Sequence, residues 1–285
     1  MKRIAVLMAM FLSSGLYAGK GLIPLKKLTT AVSPVERAIV LFNGKQEIII
    51  LSNDVQTTQP APVWELMPFP SEVSMDTGEL AWLRFADSLM RQLTVERCPE
   101  RTLEDLVIDN NLLLDNKVYE PRDLYMWKSK VGYSGFMKWL MDTLEKYCVD
   151  EVPERVEKAI YYYLNHGYKY WGVDRVDIDM EIGTVKPIIY DFRTRKPYYP
   201  LRMSASSNGS KTVMLYFVTR KKLKVMPSEE FQKFGPFEVQ ARHLTQLYPD
   251  IVNFFEVMPE DTLYFMGLRF SGLNLNMPTG LPFTR

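Results

Sequence analysis

The residues best placed to do acid–base chemistry are five carboxylates in one short stretch: Asp174, Asp177, Asp179, Glu181 and Asp191. Two carboxylates facing each other across a cleft can hydrolyse a glycosidic bond, one as acid and the other as base or nucleophile. Asp177, Asp179 and Glu181 alternate with Val176, Ile178 and Met180, so a strand would carry all three on one face. Such a face offers oxygen ligands of the kind Ca²⁺ requires. It is equally a solvated strand face, where water screens the like charges. The solvated reading is preferred, because calcium loops fold back on a glycine and this segment reads as straight. No metal or other cofactor is assigned.

Other chemistries find little support. His166 and His243 are the only histidines, and they do not have the one-turn spacing of a zinc-protease helix. There is no Cys-x-x-Cys pair, phosphate-binding loop, Gly-x-Ser-x-Gly elbow or Ser-x-x-Lys motif. Gly132-Tyr133-Ser134-Gly135 has the wrong spacing for an elbow and opens a helix. A cysteine nucleophile would have to be Cys98 or Cys148 paired with one of the two histidines, and nothing local to either cysteine supports it.

Two further groups could bind rather than react. Val63-Trp64-Glu65-Leu66-Met67-Pro68-Phe69-Pro70 reads as an edge strand or sheet exit, because its prolines lack backbone donors. Trp64 and Phe69 could then anchor a partner, or else plug the core. Tyr161-Tyr162-Tyr163 points in several directions on a helix and reads as core plus rim. The basic run from Arg220 to Lys224 reads as a solvated strand end.

The elements that would position these groups follow from periodicity. Asn43-Gly44 and Asn208-Gly209 each sit between apolar runs and predict two type I′ hairpins. One would join 36–42 to 45–51, the other 201–207 to 211–219. Between them lies a helical block. It comprises 77–97, a helix capped by Ser134, and a helix from Pro153 to Gly167. Strands follow at 170–182, 186–192 and 198–206, then helical segments at 228–234 and 238–248, and a last strand at 262–270. The fold class is α+β, a mostly antiparallel sheet built from the two Asn-Gly hairpins with a central helical block packed on it.

The first eighteen residues have the layout of a secretory signal peptide. Lys2 and Arg3 lead, Ile4–Leu12 is apolar, and Leu16-Tyr17-Ala18 offers a cut before Gly19. The apolar run is shorter than a bilayer span, and no later run reaches that length. The expected organisation is a signal peptide over 1–18, one exported domain over 19–271, and a loose Pro/Gly/Asn-rich tail over 272–285. Removal of the leader leaves 33 Lys+Arg against 34 Asp+Glu and moves the net charge from +1 to −1. That balance gives no reason to expect nucleic acid. In an oxidising compartment Cys98 and Cys148 could form a disulfide, worth about 4 kcal/mol on the chain-entropy model, or could remain two separate thiols.

Several stretches resemble a known family. Ala38-Ile39-Val40-Leu41-Phe42-Asn43-Gly44, Glu47–Val55 and Leu66–Ser71 carry the resemblance in the first half. Tyr163–Tyr168, Lys186–Tyr190, Tyr198–Arg202 and Asn208-Gly209 carry it in the second. The family is an exported bacterial and archaeal one catalogued as domain of unknown function 2330. The resemblance runs from about Glu36 to Thr219 and implies an envelope or secreted domain, with no accepted activity and no catalytic residues to carry over. A Cys-Gly element that follows the leader in some relatives is replaced here by Gly19-Lys20-Gly21. The expected function is a non-enzymatic exported domain, periplasmic or secreted, that binds or scaffolds an envelope protein through Trp64, Phe69 and the adjoining sheet edge. The alternative is a secreted carboxylate-dependent hydrolase of envelope polymers.

Overall fold

The computed structural model describes residues 20–97, 117–130, 132–206, 211–225, 231–271, 281 and 283–284. In chain order the strands are β1 (Gly21–Pro24), β2 (Ala31–Val32), β3 (Val35–Phe42), β4 (Gln46–Thr57), β5 (Ala61–Phe69), β6 (Val73–Thr77), β7 (Lys117–Tyr119), β8 (Pro121–Lys128), β9 (Tyr170–Ile178), β10 (Gly183–Val185), β11 (Ile188–Arg193), β12 (Thr212–Thr219), β13 (Lys224–Val225), β14 (Phe231–Gln240), β15 (Thr262–Ser271) and β16 (Phe283–Thr284). The helices are α1 (Leu80–Arg97), α2 (Gly132–Leu144), α3 (Glu154–Asn165), α4 (Leu201–Ser204) and α5 (Ile251–Phe255).

Two sheets face each other. The smaller has the order β1-β5-β9-β8. The larger runs β14-β15-β12-β3-β4, with β11 and β10 on successive parts of the long β4 and with β6 and β7 beyond them. Pairing is antiparallel except for β12 with β3 and β10 with β7. The fold is thus α+β and mostly antiparallel.

Strand alternation explains the layers. Ala38, Val40, Ile49, Leu51, Val213 and Leu215 face the small sheet and pack with Met67 and Phe69. Their alternates Ile39, Leu41, Ile48, Ile50 and Tyr216 face outward and are covered by α1 and α5. On the small sheet Trp64, Leu66, Trp171 and Val173 point away from the large sheet and are covered by α2 and α3. Strands buried on both faces read as continuous apolar runs, as these do.

Several expectations are corrected. The three central helices do not form one block: α1 covers the outer face of the large sheet, α2 and α3 that of the small one. Of the segments 228–234 and 238–248, expected to be helical, the described residues up to 240 belong to the strand β14, because eight residues pair with β15 and bury alternate side chains. Residues 201–204, expected to be a strand, form α4, and β12 pairs with β3 and β15 instead. Asn208-Gly209 lies outside the described residues, as do the leader, Cys98 and residues 272–280 of the tail. At the first turn only Gly44 has positive φ, at 100°. A type I′ turn needs two such residues. Here the Asn43 side chain closes the turn by accepting from the amides of Lys45 and Gln46, both at 3.0 Å.

β5 is not an edge strand. It lies between β1 and β9 with both flanks paired. Its prolines are tolerated by position. β1 covers only Val63 to Leu66, so Pro62 and Pro68 fall beyond its two ends. The Pro62 carbonyl accepts from the Leu25 amide, and the Pro68 carbonyl accepts from the Tyr198 hydroxyl at 2.7 Å. The missing N–H groups therefore leave no rung of the ladder unmade.

Candidate functional site

The residues singled out in the sequence are dispersed. Trp64 is 4% exposed and stacks on Trp139 with Tyr147 edge-on, inside the α2/α3 core. Phe69 is fully buried between the sheets against Tyr190 and Phe192. Neither presents a surface to a partner, because β5 is interior. Asp177 pairs with Arg122 at 2.9 Å, and Asp179 with Lys117 at 2.7 Å. Glu181 is exposed in the turn after β9, so the three acids do not share one strand face. Among the described residues no three His, Cys, Asp or Glu side chains gather as a metal-binding set. Asp191 lies on the large sheet, where Gln46 donates to it at 2.6 Å. It shares a shallow cleft of about 490 Å³ with Glu72. Cys148 is exposed with φ 56°, ahead of α3, while His166 closes that helix. Twelve residues of α-helix span about 18 Å, which separates the two ends. His243 is exposed in a 3-10 turn.

The structure instead gathers charges that sequence reading passed over. Between the two sheets lie four carboxylates, Glu36, Glu47, Glu65 and Asp174, and two ammonium groups, Lys20 and Lys211, all buried. Each carboxylate stands at an inward-facing position of a strand. Only Asp174 belonged to the expected pool. The signal for the others was a lone Glu inside an apolar run, as in Val-Glu-Arg-Ala-Ile, Gln-Glu-Ile-Ile and Val-Trp-Glu-Leu.

Glu65 and Asp174 are register partners on β5 and β9. Lys20, just before β1, reaches both: Nζ is 2.5 Å from Glu65 Oε2 and 3.2 Å from Asp174 Oδ1. Asn53 donates to Glu65 Oε1 at 2.8 Å, and the Tyr190 hydroxyl donates to Asp174 Oδ1 at 3.4 Å. Beside this triad, Lys211 donates to Glu36 at 2.7 Å, and Ser204 and Tyr199 donate to the same carboxylate. Glu47 stands apart and accepts only the Tyr198 amide, at 2.8 Å, with its other oxygen unpartnered.

Four acids against two bases cannot all be ionised in a dry layer, since an unpaired buried charge neutralises instead. Burial raises the Asp174 carboxyl well above its ordinary value; Lys20 opposes this and the Glu65 charge adds to it. Burial also tends to raise Glu65, but Lys20 outweighs it and the carboxyl is lowered. Burial would lower the Lys20 ammonium, yet Asp174 and Glu65 outweigh it and hold it well above the ordinary lysine value. Burial raises Glu47 well above its ordinary value, with the Tyr198 amide only partly opposing. Lys20 and Glu65 are thereby favoured as an ion pair, while Asp174 and Glu47 are pushed towards their neutral forms. Asp174 Oδ2 has no hydrogen-bond partner.

This state has a pH consequence. The unfolded chain releases the Glu47 proton near the ordinary glutamate value of 4.5, whereas burial holds it on to higher pH in the folded chain. The stabilisation from this raised pKa is fully present below 4.5 and is lost as pH rises through the folded value. Glu47→Gln mimics the neutral acid. It should raise stability at pH 7 by on the order of 1–2 kcal/mol and change little at pH 4. Urea melts of both chains at the two pH values check this.

A different feature stands at one end of the sandwich. The turn between β1 and β2 carries Leu28, 92% exposed and with φ 60°. The turn is pinned: Lys26 donates to the Pro60 carbonyl, Gln59 to the Lys27 carbonyl and Thr29 hydroxyl, and Lys27 pairs with Asp150. The Thr58 amide donates to the Thr30 carbonyl, and the Thr57 amide to that of Asp179. The same end therefore includes the β9–β10 turn, where Met180 is 54% exposed.

An α+β pair of facing sheets with helices on both outer faces, and a charged layer between them, is the class of structure these features define. A family model described as an uncharacterized protein conserved in bacteria (DUF2330) matches residues 128–241. The match includes the second-half motifs quoted above; those before residue 128 lie outside it. No curated protein matches. Among solved structures, the crystal structure of baculovirus P35 aligns with a TM-score of 0.44 at 10% identity, over 75% of this chain and 76% of that one. No described helix is long and apolar enough to cross a membrane.

Proposed function

We propose that the protein is an exported, non-enzymatic domain that binds a protein partner at the cell envelope, with the turn around Leu28 as its contact point. The observation that carries this reading is Leu28 itself. A left-handed backbone costs an L-residue about 1–2 kcal/mol, and an apolar side chain in water returns nothing. Folding gives no reason for leucine at this position, where glycine or asparagine would sit without strain. A rigid turn that holds out one apolar side chain suits a partner with an apolar socket. The leader-like pattern of residues 1–18 supports the envelope as the place.

Leu28→Gly should stabilise the free protein by about 0.5–1 kcal/mol while weakening partner capture. Tagged chain from Gly19 onward would be cross-linked in the producer's envelope, wild type beside the variant, with thermal melts alongside. Loss of a captured band together with a higher melting temperature is the expected pair of results. Identical capture by both chains overturns the reading. The hydrolase alternative retains one foothold, the cleft shared by Glu72 and Asp191. It is weakened by the dispersal of the other carboxylates into separate ion pairs.

A further inference from the structure

We propose that Lys20 and Asp174 condense to an intramolecular amide, with Glu65 carrying the protons, so that the first strand of the small sheet becomes covalently tied to β9. The argument begins from placement. A lysine amine, a carboxyl electrophile and a second carboxyl able to take and return a proton meet at 2.5 and 3.2 Å. All three are buried between two sheets, walled by Tyr190, whose ring lies 5.5 Å from Lys20 Nζ. Reacting groups fixed in this way gain effective molarities on the order of 10⁵–10⁸ M, which offsets the poor reactivity of a carboxyl towards an amine in water.

The chemistry balances without any co-reactant. Lys20 Nζ passes a proton to Glu65 Oε2, 2.5 Å away, giving a neutral amine and a neutral acid. The ion pair is the favoured resting form, so the neutral pair is a minor species from which the reaction proceeds. The amine lone pair attacks Asp174 Cγ, and negative charge develops on Oδ1, where the Tyr190 hydroxyl already donates. Glu65 protonates the departing Oδ2 hydroxyl and takes the remaining amine proton. The Nζ–Cγ bond forms, the Cγ–Oδ2 bond breaks, and one water leaves. Burial pushes Asp174 towards the protonated form that the step needs, since a carboxylate would not accept the amine. Glu36 and Lys211 lack this arrangement: among the described residues Lys211 donates to one carboxylate, Glu36, at 2.7 Å.

The test is the intact mass of the folded chain, read with its N-terminus so that leader removal is accounted for. A protein lighter than its sequence by one water, with a tryptic species joining the Lys20 and Asp174 peptides, is the expected result. Full mass overturns the proposal outright. Asp174→Asn should instead lose one ammonia, because the leaving group changes. Lys20→Arg and Glu65→Gln should keep full mass. If either of these variants is still lighter by one water, the loss arises elsewhere and the assignment fails. The wild-type mass decides the question even if a variant does not fold.

Discussion

Lys20→Met should destabilise the protein by about 3–5 kcal/mol, the cost of leaving a buried carboxylate without its cation. Lys20 is 3% exposed, and Glu65 and Asp174 are each 1% exposed, so water cannot replace the ammonium. Methionine fills a similar volume, which keeps the loss electrostatic rather than steric. The double variant K20M/E65Q should recover most of the loss, because glutamine keeps the Asn53 contact without a charge. Chemical denaturation of wild type, both single variants and the double variant closes the cycle. If K20M costs less than 1 kcal/mol, the triad is not the ionised assembly described. In a wild type carrying the Lys20–Asp174 amide the ammonium is consumed, so the loss would measure removal of the cross-link instead of the ion pair.

The second large effect is Trp64→Ala, expected to cost about 3–5 kcal/mol. The indole packs in the α2/α3 core and stacks on Trp139, with ring centroids 6.3 Å apart. Trp139 in turn stacks on Trp127 at 4.7 Å, so the cavity would loosen a row of aromatic rings. A Trp64 on a sheet edge would cost almost nothing in stability and much in partner capture. The melting temperature of W64A separates these cases, and an unchanged value would contradict its place in the core. Set beside Leu28→Gly, the pair tests both the interior and the surface: one change empties the core, the other relieves a turn.

The dispersal of the expected site residues shows where pattern reading stops. Asp177, Asp179 and Glu181 do alternate with apolar residues, but β9 ends at Ile178, where the chain turns to make β10 antiparallel to β4. Proline in 63–70 argued for an edge, and the local chemistry behind that argument is sound. It failed because β1 is short, and a strand can be interior over its middle while its ends stay unpaired. For 231–240, helical and strand patterns are hard to tell apart in a short apolar run, and the open edge of β15 settled the matter.

Composition and periodicity by themselves determined the α+β class, the antiparallel character, the three long helices and the strands β3, β4, β9, β12 and β15, since these depend on local alternation; the expected Ser134 cap does not hold, because α2 begins at Gly132. They also marked the leader-like start of the chain. What only tertiary structure decided is which faces meet. Glu36, Glu47, Glu65 and Asp174 come from four different strands, and Lys20 and Lys211 from two chain segments 191 positions apart. No local pattern relates them. They become one layer because two sheets, each apolar on both faces, stack with these alternates pointing inward. A charge that alternation alone would place in solvent is then held in a dry interior, where its neighbours fix its protonation.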